Sequence, residues 1–498
     1  MTFYGDFTFL RRNCQIAVIL ALFLTGFAAA HPGPQVPESP LGQEVKPSTA
    51  AVKPGPAGAE ALVPSRSLIV PWQGFPWRMT GSMSLNWRGV GPRRPQFETQ
   101  IQHQLYLADL YFAFLGPALD GVPFRMEFHL PTGGQGTANL YQIYFQYKRL
   151  EDWDFHFGKF LVPYGRYNEL YRPDMFLTVT RPLLYASPDS LDLVVRINSP
   201  RPPFSSGYTD IGARASYYPP WNSWWAPSEA TFFVVNGLGE ASNRSRTFPR
   251  PDNLGVPPPP ANGKAVDFGH ENNNLADNNN NKAVGGRIVY AVGTLDLPWP
   301  IPEGKRDLTG VSVGFSAMGG QYDLEAKNNN RMIGADVSFE YEGFNVSAEY
   351  TYSFQHFDSP FSVAGATSTV QPTQLVRDFE DLQGYFVQAS FPLMRRPPRG
   401  KRLTAIIVFN QLFRRGPLLS LLNNQNVNGT LFPSVAVYGD LNPRISTRMD
   451  KITGALNYQL SDHFSVKTEY SYWFMSRAAA SLGGIDIYQG AFSIISSF

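Results

Sequence analysis

Cysteine and charge are both scarce in this chain. Its 498 residues include one cysteine, Cys14, and charged residues make up 16% of the sequence, against about a quarter in average soluble proteins. So little charge is unusual for a soluble protein of this size, because its outer surface needs charged side chains. The formal net charge of +2 gives no sign of a polyanionic partner, so we expect no nucleic acid among the partners.

Long hydrophobic runs are also missing. The apolar stretch from Ile16 to Leu24 is too short to span a bilayer, and no later segment is apolar over a spanning length. Because Arg11 and Arg12 precede this stretch and Ala-Ala-Ala-His follows it, residues 1–30 are predicted to be a secretory signal peptide cleaved after Ala30. The alternative interpretation is an N-terminal membrane anchor. A chain without the signal would contain no cysteine and therefore no disulfide.

Motifs of metal sites and of metalloenzymes are not found. Among the seven histidines no two have the i, i+4 spacing of a helical zinc site, and the chain contains neither H-E-x-x-H nor C-x-x-C. We therefore expect no catalytic residue, no metal ligand, no cofactor and no enzymatic activity. His129 is interpreted as an ordinary polar residue that faces a wet interior.

Aromatic residues and regular alternation, by contrast, are abundant. Aromatics make up 14% of the chain, and apolar and polar residues alternate in many segments of about ten residues. In one such segment Val122, Phe124 and Phe128 share one face, while Arg125 and Glu127 share the other. Sixteen segments are predicted strands: 78–88, 97–112, 122–130, 140–149, 153–161, 209–218, 229–237, 283–294, 308–318, 331–341, 344–354, 382–394, 402–413, 450–460, 464–474 and 485–498.

The links between these strands alternate between short and long. Short links include 342–343 and 461–463, while the long ones are 162–208, 238–282, 355–381 and 414–449. Because hydrocarbon cannot satisfy the free edge of a sheet, a sheet in a membrane must close on itself. We therefore predict an all-β fold: a transmembrane antiparallel β-barrel of about 16 strands over residues 76–498, with short periplasmic turns and long extracellular loops. A soluble all-β protein is the alternative, since alternation alone does not reveal which face meets water.

The two ends of the chain fit this organisation. Residues 31–75 are rich in Pro, Ala and Gly and are predicted to form a tether that does not fold. The last strand, 485–498, alternates up to its terminal Phe498 and is predicted to pair with the first strand. Such a strand resembles the C-terminal signal read by the outer-membrane assembly machinery. We expect that machinery as a partner, beside the lipid bilayer of a bacterial outer membrane.

Several short motifs resemble one porin family. The segment 158–165, Gly-Lys-Phe-Leu-Val-Pro-Tyr-Gly, resembles the G-K-F-x-x-P-F-G strand of the phosphate-selective porin O and P family. The segment 233–237, Phe-Val-Val-Asn-Gly, resembles its G-V-F-N-G strand, and 281–288, 333–336 and 384–389 are also similar to it. The resemblance implies a sixteen-stranded homotrimeric barrel. Its third loop would fold inward, and basic residues there would attract anions at a constriction.

Charged residues give the candidate site. For the pore constriction, the resemblance implies the arginines of the third loop: Arg166, Arg172, Arg181 and Arg196. Alternation adds residues predicted to line the lumen: Arg125, Glu127, Lys148, Arg214, Arg287, Glu349 and Lys467. Further acids fall on predicted inward faces: Asp210, Asp336, Glu340 and Glu469. The mixture of signs supports neither anion selectivity nor phosphate specificity, and each arginine could equally be a solvated or salt-bridged loop residue.

These patterns predict a porin. Small hydrophilic solutes or ions would diffuse passively through its water-filled barrel, past the third loop. Two alternatives belong to other classes. One is a barrel with an occluded lumen that serves as a structural scaffold or adhesin, and the other is a transporter of hydrophobic compounds.

Overall fold

A computed structural model describes most of the predicted barrel. The described residues are 68–72, 75–91, 103–119, 122–131, 139–148, 150–170, 175–185, 207–220, 227–238, 282–292, 310–321, 329–341, 343–357, 378–394, 401–415, 446–461, 463–475 and 485–497. The predicted signal peptide, most of the predicted tether and most of the 238–282 loop lie outside these residues.

Sixteen strands form a closed barrel, and a seventeenth short strand precedes them. The strands are β1 (Leu68–Trp72), β2 (Phe75–Gly91), β3 (His103–Leu119), β4 (Val122–Pro131), β5 (Asn139–Tyr147), β6 (Trp153–Leu161), β7 (Thr209–Tyr217), β8 (Glu229–Val235), β9 (Ala283–Val292), β10 (Gly310–Gln321), β11 (Asn329–Tyr341), β12 (Phe344–Phe357), β13 (Asp378–Pro392), β14 (Arg402–Arg415), β15 (Ser446–Ser461), β16 (Phe464–Met475) and β17 (Ile485–Ser497). From β2 onward each strand pairs antiparallel with the next, and β17 pairs back with β2, where Phe492 lies opposite Trp87. The predicted closed antiparallel barrel is confirmed.

Side chains alternate between the inside and the outside of this barrel. Along β16, Lys467, Glu469 and Ser471 are buried, while Tyr470 and Phe474 are 59% and 40% exposed. Large apolar side chains therefore cover the outer surface, and polar side chains point inward. A soluble barrel has the reverse arrangement, so this is a membrane-spanning barrel of the outer-membrane type.

Aromatic side chains mark both ends of the apolar surface. At the short-turn end, the ring centroids of Trp153 and Tyr217 lie 4.9 Å apart. Towards the long-loop end, those of Tyr472 and Tyr488 lie 5.1 Å apart. Such rings sit at the level of the lipid headgroups, because they combine an apolar body with a polar edge. The pairs indicate where the two membrane surfaces meet the barrel.

Short turns join the strands at one end. Residues 120–121 connect β3 to β4, and residues 342–343 connect β11 to β12. Gly343 in the second turn has a φ of 82°, a left-handed conformation that glycine adopts without steric cost. Within the described ranges, no helix has the length and apolar character needed to cross a bilayer.

The predicted tether, 31–75, is wrong in its last part, because it contains β1. Residues Leu68–Trp72 pair with the start of β2, where Leu68 lies opposite Met79. The pairing of β17 with β2 ends nearby, with Ser497 opposite Ser82. Strand β17 does not reach the first residues of β2. Strand β1 pairs with these residues instead and supplies their hydrogen-bond partners.

The predicted position of β3 is also wrong by several residues. The strand spans His103–Leu119 rather than 97–112. Alternation ends before Gly116 and Pro117, which are unfavourable inside a regular strand. Both are accommodated because the pairing of β3 with β4 shifts register between Pro117 and Leu119.

The outer surface gives a first testable prediction. Ile407 lies in the middle of β14 and is 57% exposed, whereas Leu393 lies just beyond the short-turn end of β13 and is 54% exposed. Ile407→Arg places a charge in hydrocarbon and should lower the free energy of unfolding from lipid vesicles by about 2–4 kcal/mol. Leu393→Arg, at the membrane surface, should cost about 0–1 kcal/mol. Equal costs in urea titrations of the two variants would contradict the assigned membrane position.

Candidate pore constriction

The link between β6 and β7, residues 162–208, is the third loop, which we call L3. Its described parts contain one helical turn, α1 (Arg166–Glu169), and one 3-10 turn (Leu183–Tyr185). Val162, Tyr164 and Tyr185 are completely buried. Side chains from strands on several sides of the barrel contact these residues, so L3 lies inside the barrel.

The carboxylate of Glu349 on β12 binds L3. Glu349 accepts a hydrogen bond from the backbone N–H of Tyr167 at 3.1 Å, and a second from the hydroxyl of Tyr185. Burial raises the pKa of Tyr185 well above its usual range, so this hydroxyl keeps its proton and acts as a donor. Glu349 thereby joins both ends of the described part of L3 to one strand.

A second carboxylate, on β16, binds the middle of L3. Glu469 accepts hydrogen bonds from the backbone N–H groups of Val179 at 2.9 Å and Thr180 at 2.8 Å. Lys451 on β15 lies 3.6 Å from the same carboxylate and also contacts the hydroxyl of Thr180. Glu469 therefore binds the backbone of the loop, and Lys451 binds the side chain of Thr180 beside it.

A third carboxylate, on β3, binds an arginine of L3. Asp109 Oδ1 lies 3.0 Å from Arg181 Nη2 and 2.8 Å from His129 Nε2 on β4. The ring of His129 stacks on that of Tyr111, with centroids 4.1 Å apart. Three carboxylates on three separate strands, Asp109, Glu349 and Glu469, therefore hold the loop.

Apolar packing fixes L3 to the wall between β13 and β14. A Cβ atom on Gly384 would lie 2.7 Å from Leu184 Cδ2 and 2.9 Å from the carbonyl oxygen of Gln411. Leu184 fills that space and is completely buried. Next to it, the N–H of Leu183 donates to Asn410 Oδ1 at 3.2 Å. The missing side chain of Gly384 therefore gives Leu184 room to dock.

Arg166 differs from the other cations around L3. Its Nη1 atom donates to the hydroxyls of Ser312 at 2.8 Å and Ser338 at 2.5 Å, and these hydroxyls lie 2.8 Å apart. Neither partner carries charge, and no carboxylate pairs with Arg166 among the described residues. The side chain is partly exposed. Its positive charge is therefore not cancelled locally by the described part of the chain.

Ser312 also belongs to a match to the nucleophile pattern G-x-S-x-G, at 310–314. In enzymes with that pattern the serine lies on a sharp turn between a strand and a helix. Here β10 continues straight through it, from Gly310 to Gln321. No group of three or more His, Cys, Asp or Glu side chains in the described part of the chain could hold a metal ion.

The other side of α1 carries an acid between two arginines. The carboxylate of Glu169 lies 3.7 Å from Arg214 on β7 and 3.5 Å from Arg287 on β9. Burial raises the pKa of Glu169, and the nearby Arg287 acts in the opposite direction. Arg287 pairs more closely with Asp336 on β11, at 2.5 Å.

The remaining predicted residues separate into three groups. Lys467 donates to the carbonyl oxygen of Phe176, so it contacts L3. Arg125 and Glu127 pair with each other at 2.5 Å on β4, and Lys148 is partly exposed at the short-turn end of β5. Arg172 and Arg196 lie outside the described residues. The prediction missed Asp109 and Asn410, since inward alternation does not reveal which polar residues meet a distant loop.

Burial indicates how closely L3 fills the barrel. Arg287, Lys451 and Lys467 on the walls facing L3 are 3%, 1% and 1% exposed. By contrast, the side chains of Arg125 and Glu169 keep 19% and 24% exposure. Arg287, Lys451 and Lys467 therefore lie against L3 with little of their surface open to water.

Comparisons with known proteins give only distant structural likeness. No protein-family model and no curated protein matches the chain. Similar solved structures include an anion-selective porin from Comamonas acidovorans, with 12% identity, a TM-score of 0.44 and coverage of 85% of this chain and 99% of that one. Others are OmpF of Salmonella typhi in complex with daunomycin (11%, 0.44, 86% and 100%) and the outer membrane channel DcaP of Acinetobacter baumannii (11%, 0.42, 85% and 97%). Likeness of this degree carries no inference about the solute.

The docking of L3 gives a second prediction. Gly384→Val should displace Leu184 and destabilise the barrel by about 1–3 kcal/mol, because the added atoms overlap a packed side chain. A Cβ atom on Gly454 of β15 would meet open space, with no neighbouring atom within 4 Å. Gly454→Val should therefore change stability by less than about 0.5 kcal/mol. Urea unfolding from vesicles compares the two, and a Gly384→Val variant as stable as the control would refute the docking.

Proposed function

We propose that this protein is a porin of the bacterial outer membrane that lets small hydrophilic solutes or ions pass by diffusion. The observation that carries the proposal is the combination of a polar barrel interior with an inward loop held by Asp109, Glu349 and Glu469. Polar walls allow water inside the barrel, and the loop limits the width of the passage. Because so little charged surface near L3 reaches water, the solutes should be small.

Within this proposal, Arg166 sets the charge preference. Arg181, Arg214 and Arg287 each lie beside a carboxylate, so each contributes a weak net field. Arg166 is bonded to two uncharged hydroxyls. Arg172 and Arg196 are proposed as further constriction residues on the resemblance alone. Arg125, Glu127, Lys148, Glu349 and Lys467 would line the lumen with charges of both signs, which gives a mild rather than a strict preference.

Three partner proposals accompany this function. The outer face should contact the lipid bilayer, since apolar side chains cover it. A homotrimer is proposed on the resemblance to phosphate-selective porins, and specificity for phosphate is not supported by the mixed charges. The strand ending in Phe498 is proposed as the segment that the assembly machinery reads.

Conductance through planar bilayers tests the function. Purified protein should produce discrete open steps in salt solution, because ions cross a water-filled interior. A barrel that serves only as a scaffold or adhesin should give none. A transporter of hydrophobic compounds should likewise fail to pass sugars in liposome-swelling assays. The proposal would be overturned if neither the folded wild-type protein nor variants that lack the wall contacts to L3 produced conductance steps.

Reversal potentials in a salt gradient test the role of Arg166. Arg166→Ala removes the uncompensated cation. The reversal potential should therefore move towards the value expected for a cation-selective pore. Arg448 on β15 is 52% exposed on the outer surface and pairs with Asp450 at 2.9 Å, so Arg448→Ala is a matched control that should leave the potential unchanged. Identical potentials for both variants would remove Arg166 from the passage.

A further inference from the structure

We propose that L3 is an acid-released plug, held at neutral pH by the carboxylates of Asp109, Glu349 and Glu469, so that the barrel conducts better in acid. This inference rests on the proposed porin function. It concerns only the described parts of L3, residues 162–170 and 175–185.

The first support is that each of these wall acids bonds L3 directly. Glu349 and Glu469 together accept three backbone N–H groups and two hydroxyls of the loop, and Asp109 accepts the guanidinium of Arg181. A carboxylate accepts several hydrogen bonds at once, whereas a protonated carboxyl group loses its charge and part of its accepting capacity. Protonation therefore weakens several bonds to L3 at each site.

The second support is the charge that remains after protonation. L3 brings Arg166 and Arg181 to the walls, and the walls facing it carry Arg287, Lys451 and Lys467. At neutral pH carboxylates lie among these cations. In acid the cations keep their charge while the carboxylates lose theirs. The loop and the wall then repel each other across the short distances between these groups.

Charged and titratable groups surround each of the three carboxylates. Around Glu349 lie Asp336 on the adjacent strand, Arg287, and the L3 residues Tyr164 and Tyr185. Glu349 therefore has both an acid and a cation beside it, in addition to its bonds to L3.

Glu469 and Asp109 each face a cation. Lys451 faces Glu469 at 3.6 Å, and Thr180 and Ser471 donate to it. Arg181 and His129 face Asp109, with Tyr106 nearby.

The first test measures conductance at about pH 7.5 and at about pH 4, where ordinary carboxyl groups are half protonated. Wild-type protein should conduct more at the lower pH. Combined Asp109→Asn, Glu349→Gln and Glu469→Gln removes all three charges, so the variant should conduct at about pH 7.5 at least as well as the wild-type protein does at about pH 4, with little dependence on pH. Asp381→Asn is the control: this acid bonds Tyr352 at 3.0 Å on the outer face of β12 and β13, and its loss should leave the pH dependence intact. A triple variant with wild-type conductance and pH dependence would overturn the proposal.

A second test follows L3 without requiring conduction. In a Cys14→Ser background, Thr178→Cys places a thiol on L3, where Thr178 is 4% exposed. Its reaction with a maleimide, relative to that of an exposed Lys401→Cys control at the same pH, should be slow at about pH 7.5 and faster at about pH 4. Protection at both pH values would overturn the plug. Release of the thiol in acid, with no conductance at any pH, would support the plug and refute the porin function.

Discussion

Hydrogen bonding of the backbone in hydrocarbon is the constraint from which the rest of this structure follows. Lipid offers no partner to a peptide group, so every strand that crosses it needs a neighbour on both edges. Pairing of β17 with β2 satisfies the last pair of edges, and β1 covers the start of β2 that β17 does not reach. Closure then divides the side chains into an outer set that meets lipid and an inner set that does not.

The inner set makes the position of L3 possible. A loop packed against the wall of a barrel must bring its buried peptide groups to hydrogen-bond partners. Glu349, Glu469 and Asn410 accept N–H groups of L3, so wall side chains supply partners that a helix or sheet would otherwise provide. Such a loop is held by charged and polar wall residues rather than by an apolar core alone. The same residues that fix it thus make its position sensitive to their ionisation.

The fold was predictable because its signal is repeated in every strand. Apolar and polar residues alternate with a period of two within each strand. Sixteen segments with this pattern are enough to predict a barrel. The errors lie where pairing with a neighbouring strand outweighs local sequence preference. Strand β1 forms because β17 ends before the start of β2, and β3 continues through Pro117 because it pairs with β4. The site was less predictable. Alternation placed Glu349 and Lys467 inside, but their contacts with L3 join residues far apart in sequence, and no local pattern records such contacts.

Hydrogen exchange of the protein in lipid vesicles at neutral pH tests this account most directly. The backbone N–H groups of Tyr167, Val179 and Thr180 should exchange as slowly as those of the surrounding strands, because each donates to a buried carboxylate. Rapid exchange of these three groups, with the β17–β2 seam still protected, would mean that L3 is not docked inside the barrel. That result would contradict the account of the constriction.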